Sequence, residues 1–365
     1  MQQWRVQRGS RHLLVGDPET PDLSSAPIPI HLPLGVVSKL LVTANGCRTL
    51  HAEIKRLKEA GENSRLSSLG TAVLKAGGWG GESQMKNCPM YCPKASYVLQ
   101  DLLAVLPPEH PLCWGLMHAI LSRPPDEVAL HVFGSGVLLA LLASSACETD
   151  KRSDHKWSHN PKKKVEQLLG HLAPKAAQLA ADLNGARLLC FSLAQFPSSK
   201  ILLPVLTPVA ADLARNRWGY RVIQAALGRA SSQALGMLEG VIRENLDLLF
   251  THEFGARVVA HILAKEKGGR TASAHAQARL YCSIIFEWSI GELVSVVNDY
   301  VGAEMMTELL KVAEGSENRD KLVNRIFHDI PLPTLVHAQP GIDFFAKVFG
   351  SLPAATQRIL ADQIN

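Results

Sequence analysis

A short motif recurs along the chain, and this recurrence limits the fold more than any other feature of the sequence. NRWGYRVIQAAL (216–227) has a close neighbour in THEFGARVVAHIL (251–263), and their glycines stand 36 residues apart. Extending the motif in both directions gives eight copies, which we number by these anchor residues: Gly46, Ala95, Gly134, Gly185, Gly219, Gly255, Gly302 and Gly341. Eight copies of one unit predict a stacked array, because such repeats bury their apolar faces only against each other.

The steps between anchors show a unit of about 36 residues interrupted by insertions. They measure 49, 39, 51, 34, 36, 47 and 39 residues. The three longest steps contain polar, glycine-rich or basic stretches that we assign to insertion loops, at 61–70 and 77–84, at 151–164 and at 265–275. Helical arrays tolerate such insertions between their helices.

Columns aligned on the anchors predict that each copy begins a helix. Fifteen of the sixteen residues at the third and fourth positions after the anchors are apolar, and so are all eight at the eighth position. At about 100° per residue these positions form one buried stripe. We expect the first, second and fifth residues after each anchor, which we call a rung, to lie together on another, displayed face. Tyr220, Arg221 and Gln224 form one such rung.

Composition agrees with packed helices and identifies no ligand. Of the 365 residues, 47% are hydrophobic and only 6% aromatic, which favours an all-α fold with a continuous core. The formal net charge of +5 permits nucleic acid without requiring it. Seven scattered cysteines indicate reduced thiols in an intracellular compartment, and the Cys88/Cys92 pair lacks partners at zinc spacing. We expect no metal, no cofactor, no membrane span and a monomer.

Two segments lie at the margins of this scheme. Residues 1–30 carry early arginines and many prolines. We interpret them as an irregular N-terminal cap before the array at 31–365, with an organellar targeting segment as the alternative. The run KRSDHKWSHNPKKKVEQ (151–167) is basic at both ends. It is open to interpretation as a nuclear-import segment, as an insertion touching RNA phosphates, or as neither.

The motif resembles the Pumilio (PUF) repeat family. An aromatic–glycine pair, two rung residues, two aliphatics and a glutamine occur in WGYRVIQAAL, and ASYVLQDLL, FGARVVAHIL and NGARLLCFSL are similar. The resemblance runs from about residue 31 to the end of the chain. It implies a right-handed α-solenoid crescent of about eight three-helix repeats, whose concave face binds single-stranded RNA at about one base per repeat.

The resemblance also implies roles for the rung residues. The first and fifth residues would read the edge of a base, and the second would stack on it. One rung, Ser96 and Gln100 with Tyr97, matches a family rung for adenine. A second rung, Tyr220 and Gln224 with Arg221, has the family's glutamine at the fifth position. A third rung, Cys47 and His51 with Arg48, has a base-reading cysteine of the family at the first position. The other five rungs have few side chains that could hydrogen-bond to a base edge. We therefore expect preference for particular RNA bases only at the second and fifth repeats.

The second position of the rungs is enriched in arginine. It holds Arg48, Arg187, Arg221 and Arg257, where chance would give about one basic residue in eight. A guanidinium can stack on a base and pair with phosphate. Glu304 and Asp343 occupy the last two rungs and would repel a phosphate backbone, so we expect RNA to leave the face there.

The sequence therefore predicts an RNA-binding protein rather than an enzyme. No catalytic motif accompanies its 14 histidines. Two roles follow from the resemblance: holding pre-ribosomal RNA in the nucleolus during ribosome assembly, or regulating messenger RNA in the cytoplasm. Protein partners would dock on the convex face. The alternative is a helical scaffold that binds a protein and no RNA.

Overall fold

The array of inner helices follows the anchors. The computed structural model describes residues 34–77, 88–146, 161–196, 199–264, 271–350, 352, 357–358 and 361. Within this part of the chain, a helix begins at or within two residues of every anchor, and each packs against the next in chain order. These inner helices are α2 (Ala44–Glu59), α4 (Ala95–Leu103), α7 (Gly134–Ala146), α10 (Leu183–Gln195), α13 (Gly219–Arg229), α16 (Glu253–Leu263), α19 (Tyr300–Val312) and α22 (Gln339–Phe349).

Two further sets of helices flank the inner row. A short leading helix precedes and packs on most inner helices, whereas turns at 89–94 take its place before α4. The leading helices are α1 (Leu34–Val42), α6 (Pro125–Leu130), α9 (Ala176–Ala181), α12 (Ala210–Arg215), α15 (Leu246–Phe250), α18 (Ile290–Asn298) and α21 (Leu332–Leu335). The trailing helices are α3 (Asn63–Ala76), α5 (Pro111–Leu121), α8 (Pro161–Leu172), α11 (Ser199–Leu206), α14 (Ser232–Glu244), α17 (Thr271–Phe286) and α20 (Glu317–Asp329).

The anchor glycines are explained by the close approach of each leading helix. A Cβ at Gly219 would lie 2.6 Å from the carbonyl oxygen of Leu213, and one at Gly255 would lie 2.7 Å from that of Leu249. The residue six positions earlier makes the same approach at Gly46, Gly185, Gly302 and Gly341, and a slightly longer one, of 3.0 Å, at Gly134. Because a real Cβ does not fit at these distances, the leading and inner helices meet through glycine.

The residue three positions before the anchor starts most inner helices. Asn216 accepts hydrogen bonds from the backbone N–H groups of Trp218 and Gly219 through its side-chain oxygen. Asp182, Asp299, Thr43 and the ring nitrogens of His131 and His252 cap their helices in the same way. These side chains satisfy N–H groups that an isolated helix leaves unpaired.

The core is continuous along the array, as the column pattern predicts. Among the third, fourth and eighth residues after the anchors, the described side chains are buried except at Thr49, Phe345 and Phe349, which are half-buried. In the described residues no helix is both long and apolar enough to cross a membrane.

Two local predictions were wrong. Residues 61–70, assigned to an insertion loop, turn at Gly61 (φ 68°) and then enter α3. Residues 271–275, assigned to the insertion loop at 265–275, form the first residues of α17. The N-terminal cap at 1–30 and most of the other insertions lie outside the described residues, although PKKK (161–164) begins α8.

Candidate nucleic-acid interface

The second residues of the rungs, except the half-buried Gly136, form an exposed row along the inner helices. Arg48, Arg187, Arg221 and Arg257 are all exposed, and the Tyr97 side chain is 56% exposed. Three of the arginines stand on α10, α13 and α16, which are consecutive neighbours in the row. The structure thus brings Arg187, Arg221 and Arg257 onto one surface, which we call the arginine ladder.

The first residue is buried in seven of the eight rungs, contrary to the expectation that it is displayed, and only Ile342 in the last rung is exposed. Cys47, Ser96 and Tyr220 are 5%, 0% and 7% exposed. The Ser96 hydroxyl donates a hydrogen bond to the carbonyl of Pro93, and the Cys47 thiol to that of Leu41. Helix geometry gives the reason: the first residue lies only about 20° from the buried eighth residue.

Six of the eight fifth residues are half-buried, and the polar ones in the first, second and fifth repeats contact the next repeat. Gln100 and Gln224 are half-buried, and the Gln224 amide donates a 2.8 Å hydrogen bond to the backbone carbonyl of Arg257 on α16. His51 is exposed and pairs with the carboxylate of Asp101 on α4. These side chains therefore connect neighbouring inner helices and leave only part of their polar surface to a ligand.

Tyr220 lies at the centre of an aromatic and arginine cluster between the fifth and sixth repeats. Its ring stacks on that of Phe254, with centroids 5.3 Å apart and planes 16° from parallel. The guanidinium carbons of Arg221 and Arg257 lie 5.7 and 5.8 Å from the centre of the Tyr220 ring. Arg221 also donates a 3.1 Å hydrogen bond from Nε to the phenol oxygen.

The two arginines change the acidity of the Tyr220 phenol. Burial raises its pKa, but hydrogen bonds and the positive charges of Arg221 and Arg257 outweigh burial and lower the pKa below its ordinary value of 10. Arg257 is further held by Glu253, whose carboxylate lies 2.9 Å from a guanidinium nitrogen. The cluster is therefore electropositive and partly preorganised.

Sequence reasoning missed Phe254 and the contact made by Gln100. Phe254 directly precedes its anchor, so the aromatic–glycine pair contained the signal, but its stacking on Tyr220 joins residues 34 positions apart. A Cβ at Gly136 would lie 2.8 Å from Gln100 Nε2, which shows that the Gln100 amide lies against the next rung. The fifth residue of one rung thus contacts the second residue of the next in both the second and fifth repeats.

The last two rungs have acidic second residues, Glu304 and Asp343, in place of arginine. Tyr300, Glu304, Asp343 and Lys347 line a shallow cavity between α19 and α22. The Asp343 carboxylate accepts a 2.8 Å hydrogen bond from Gln339. The positive row therefore ends at the sixth repeat, in the described part of the chain.

Cysteine and histidine side chains form no metal centre in the described ranges. No three His, Cys, Asp or Glu residues there are placed to hold an ion. Cys88 is buried, and burial raises the pKa of its thiol. The structure thus gives the Cys88/Cys92 pair no third or fourth ligand.

Comparison with family models and with curated proteins finds no match to this chain. Solved structures do match over nearly the full length. The Puf4 RNA-binding domain bound to the HO endonuclease RNA 3′ UTR recognition sequence has a TM-score of 0.66 at 18% identity, covering 92% of this chain and 94% of that one.

Two further solved structures are similar to this chain over most of its length. The RNA-binding domain of yeast Puf5p bound to SMX2 RNA has a TM-score of 0.66 at 14% identity, covering 90% of this chain and 86% of that one. PUF-8 in complex with PBE-RNA has a TM-score of 0.63 at 14% identity, covering 91% and 88%. The chain therefore has the Pumilio repeat fold, an all-α right-handed solenoid crescent of about eight repeats.

Proposed function

We propose that this protein binds single-stranded RNA on its concave face, mainly through phosphate contacts and base stacking. The observation that carries the proposal is the arginine ladder: Arg187, Arg221 and Arg257 are exposed on three consecutive inner helices. Solved structures of the same fold hold RNA, which supports this class of ligand.

The chemistry of the ladder suits a backbone more than a base code. A guanidinium offers a planar face to a base and paired donors to a phosphate. Edge reading needs hydrogen-bonding groups at the first position, and those of the first and second repeats are buried. We therefore propose reduced base specificity, with a residual preference at the second repeat that depends on the exposed Tyr97 and the half-buried Gln100 and not on the buried Ser96.

The biological role is proposed from the eroded rungs and the basic PKKK segment. They favour a nucleolar protein that holds pre-ribosomal RNA during ribosome assembly over a cytoplasmic regulator of messenger RNA. In either role the protein acts by binding, without catalysis, as a monomer with protein partners on its convex face. Microscopy of the tagged full chain separates the two: nucleolar signal supports the first role and cytoplasmic granules the second.

Binding to a randomised single-stranded RNA pool tests the proposal. The test variant is Arg187→Glu/Arg221→Glu/Arg257→Glu. The matched control is Lys200→Glu/Arg279→Glu/Lys321→Glu, which makes the same charge change at exposed residues of the trailing helices α11, α17 and α20. Circular dichroism establishes that all three proteins are folded.

The expected result is RNA binding by the wild type and the control, and its loss in the ladder variant. Equal loss in both variants would show that overall charge, not the ladder, is responsible. If the folded wild type binds no RNA, the proposal is wrong and the array is a scaffold for proteins.

A further inference from the structure

The first rung residue is small in most repeats and large in the fifth. It is Cys, Ser or Ala in six of the eight rungs, so the side chain ends close to the helix. Ile342, one exception, stands at the end of the array and is 44% exposed. Tyr220 alone among the eight combines a large side chain with burial.

The Tyr220 ring bridges the gap between the fifth and sixth repeats. From α13 it reaches Phe254 at the start of α16 and stacks on it. Arg221 and Arg257 approach the same ring from their neighbouring rungs. The space between two successive ladder residues, at the level of the first rung position, is thus filled by the protein itself.

The fifth residue of this rung is also engaged. The Gln224 amide nitrogen donates to the carbonyl of Arg257. The Tyr220 hydroxyl accepts from Arg221. Both polar groups that could meet a base edge at this rung therefore have partners within the protein.

From this arrangement we propose that Tyr220 determines specificity by exclusion: its ring occupies the edge-reading position of the fifth rung, so RNA crosses this rung without its base being read. The inference rests on the proposed RNA binding and replaces the expectation that Tyr220 reads a base. Arg221 and Arg257 still contact RNA from their exposed sides, through phosphate or through the face of a base.

Removing the ring opens the rung, and this gives the test. Tyr220→Ser places beside Gln224 the residue type that Ser96 places beside Gln100. Tyr220→Phe is the matched control, because it keeps the ring on Phe254 and removes only the hydroxyl. Tyr220→Cys is a second opening variant if the serine variant does not fold. Each folded protein is used to select from the randomised RNA pool, and the bound sequences are compared by position.

The expected result is a new preference for one base, of about fivefold or more, at one position in RNA selected by the opened variant, as expected for one added hydrogen bond or more. Tyr220→Phe and the wild type should give the same profile as each other. If the opened variants bind RNA with the wild-type profile, the exclusion role is wrong while RNA binding stands. If wild type binds no RNA, both proposals are wrong.

Discussion

Gln224 on α13 donates its amide hydrogen to the backbone carbonyl of Arg257 on α16, at 2.8 Å. This bond fixes the spacing of two ladder residues, because Arg221 and Arg257 belong to the two helices it connects. The Gln100 amide lies against Gly136 in the corresponding place between the second and third repeats. A glutamine at the fifth position thus acts as a link between repeats, whether or not it contacts RNA.

Replacing this glutamine should weaken the junction of the fifth and sixth repeats. We expect Gln224→Ala to lower the free energy of unfolding by about 1 kcal/mol, the usual net value of one hydrogen bond. Gln195→Ala, at the exposed end of α10, is the control and should change it by less than about 0.5 kcal/mol. Urea unfolding measures both, and equal effects would show that the link does not stabilise the array.

Alanine at an anchor glycine should destabilise the fold despite its higher helix propensity. In Gly219→Ala the new Cβ meets the Leu213 carbonyl, so we expect a loss of about 1–3 kcal/mol from overpacking. The control is Gly236→Ala in α14, where no atom lies within 4 Å of the added Cβ. That change should stabilise the protein by about 0.5–1 kcal/mol. A stabilising Gly219→Ala would contradict the close approach.

Acidification should destabilise the array through its capping histidines. His110 Nδ1 accepts from the N–H of Leu112, and burial lowers the pKa of His110 below 6.5, as it does for His131. The unfolded chain therefore takes up protons first, so this stability is fully present above about pH 6.5 and falls as the pH drops toward the lower folded-state values.

Asparagine substitution tests the origin of that pH dependence. His110→Asn/His131→Asn retains a capping side chain and has no proton to bind. Its free energy of unfolding should change less between pH 7.5 and 5.5 than that of the wild type, whereas His118→Asn, exposed on α5, should leave the dependence unchanged. An unaltered dependence in the double variant would exclude these caps as its source.

The repeat architecture could be predicted from the sequence because it follows from local periodicity. Anchors and apolar columns located every inner helix, and the Pumilio fold is confirmed by the solved structures. The burial of Ser96 and Tyr220 could also have been predicted from the sequence, because the helical angle places the first residue of each rung beside the buried eighth residue. The prediction that the first residue lies on the same displayed face as the second and fifth residues was wrong.

Contacts between repeats could not be predicted in the same way. Tyr220 meets Phe254, and His51 meets Asp101, only after two inner helices are set side by side. The angle and offset of that packing depend on whole helix surfaces rather than on a motif. For this reason the sequence identified the exposed Arg ladder but not the side chain that fills the gap beneath it.

Salt dependence tests the central claim most directly. Binding of the RNA pool is measured at several salt concentrations for the wild type, for Arg187→Gln, Arg221→Gln and Arg257→Gln, and for the control Arg279→Gln on α17. If the ladder contacts phosphates, log K falls with log salt, and each ladder substitution reduces the slope by up to about 0.7, the value for one phosphate contact on a single strand. The control should keep the wild-type slope. Equal slopes in all five proteins would show that the ladder is not where RNA binds.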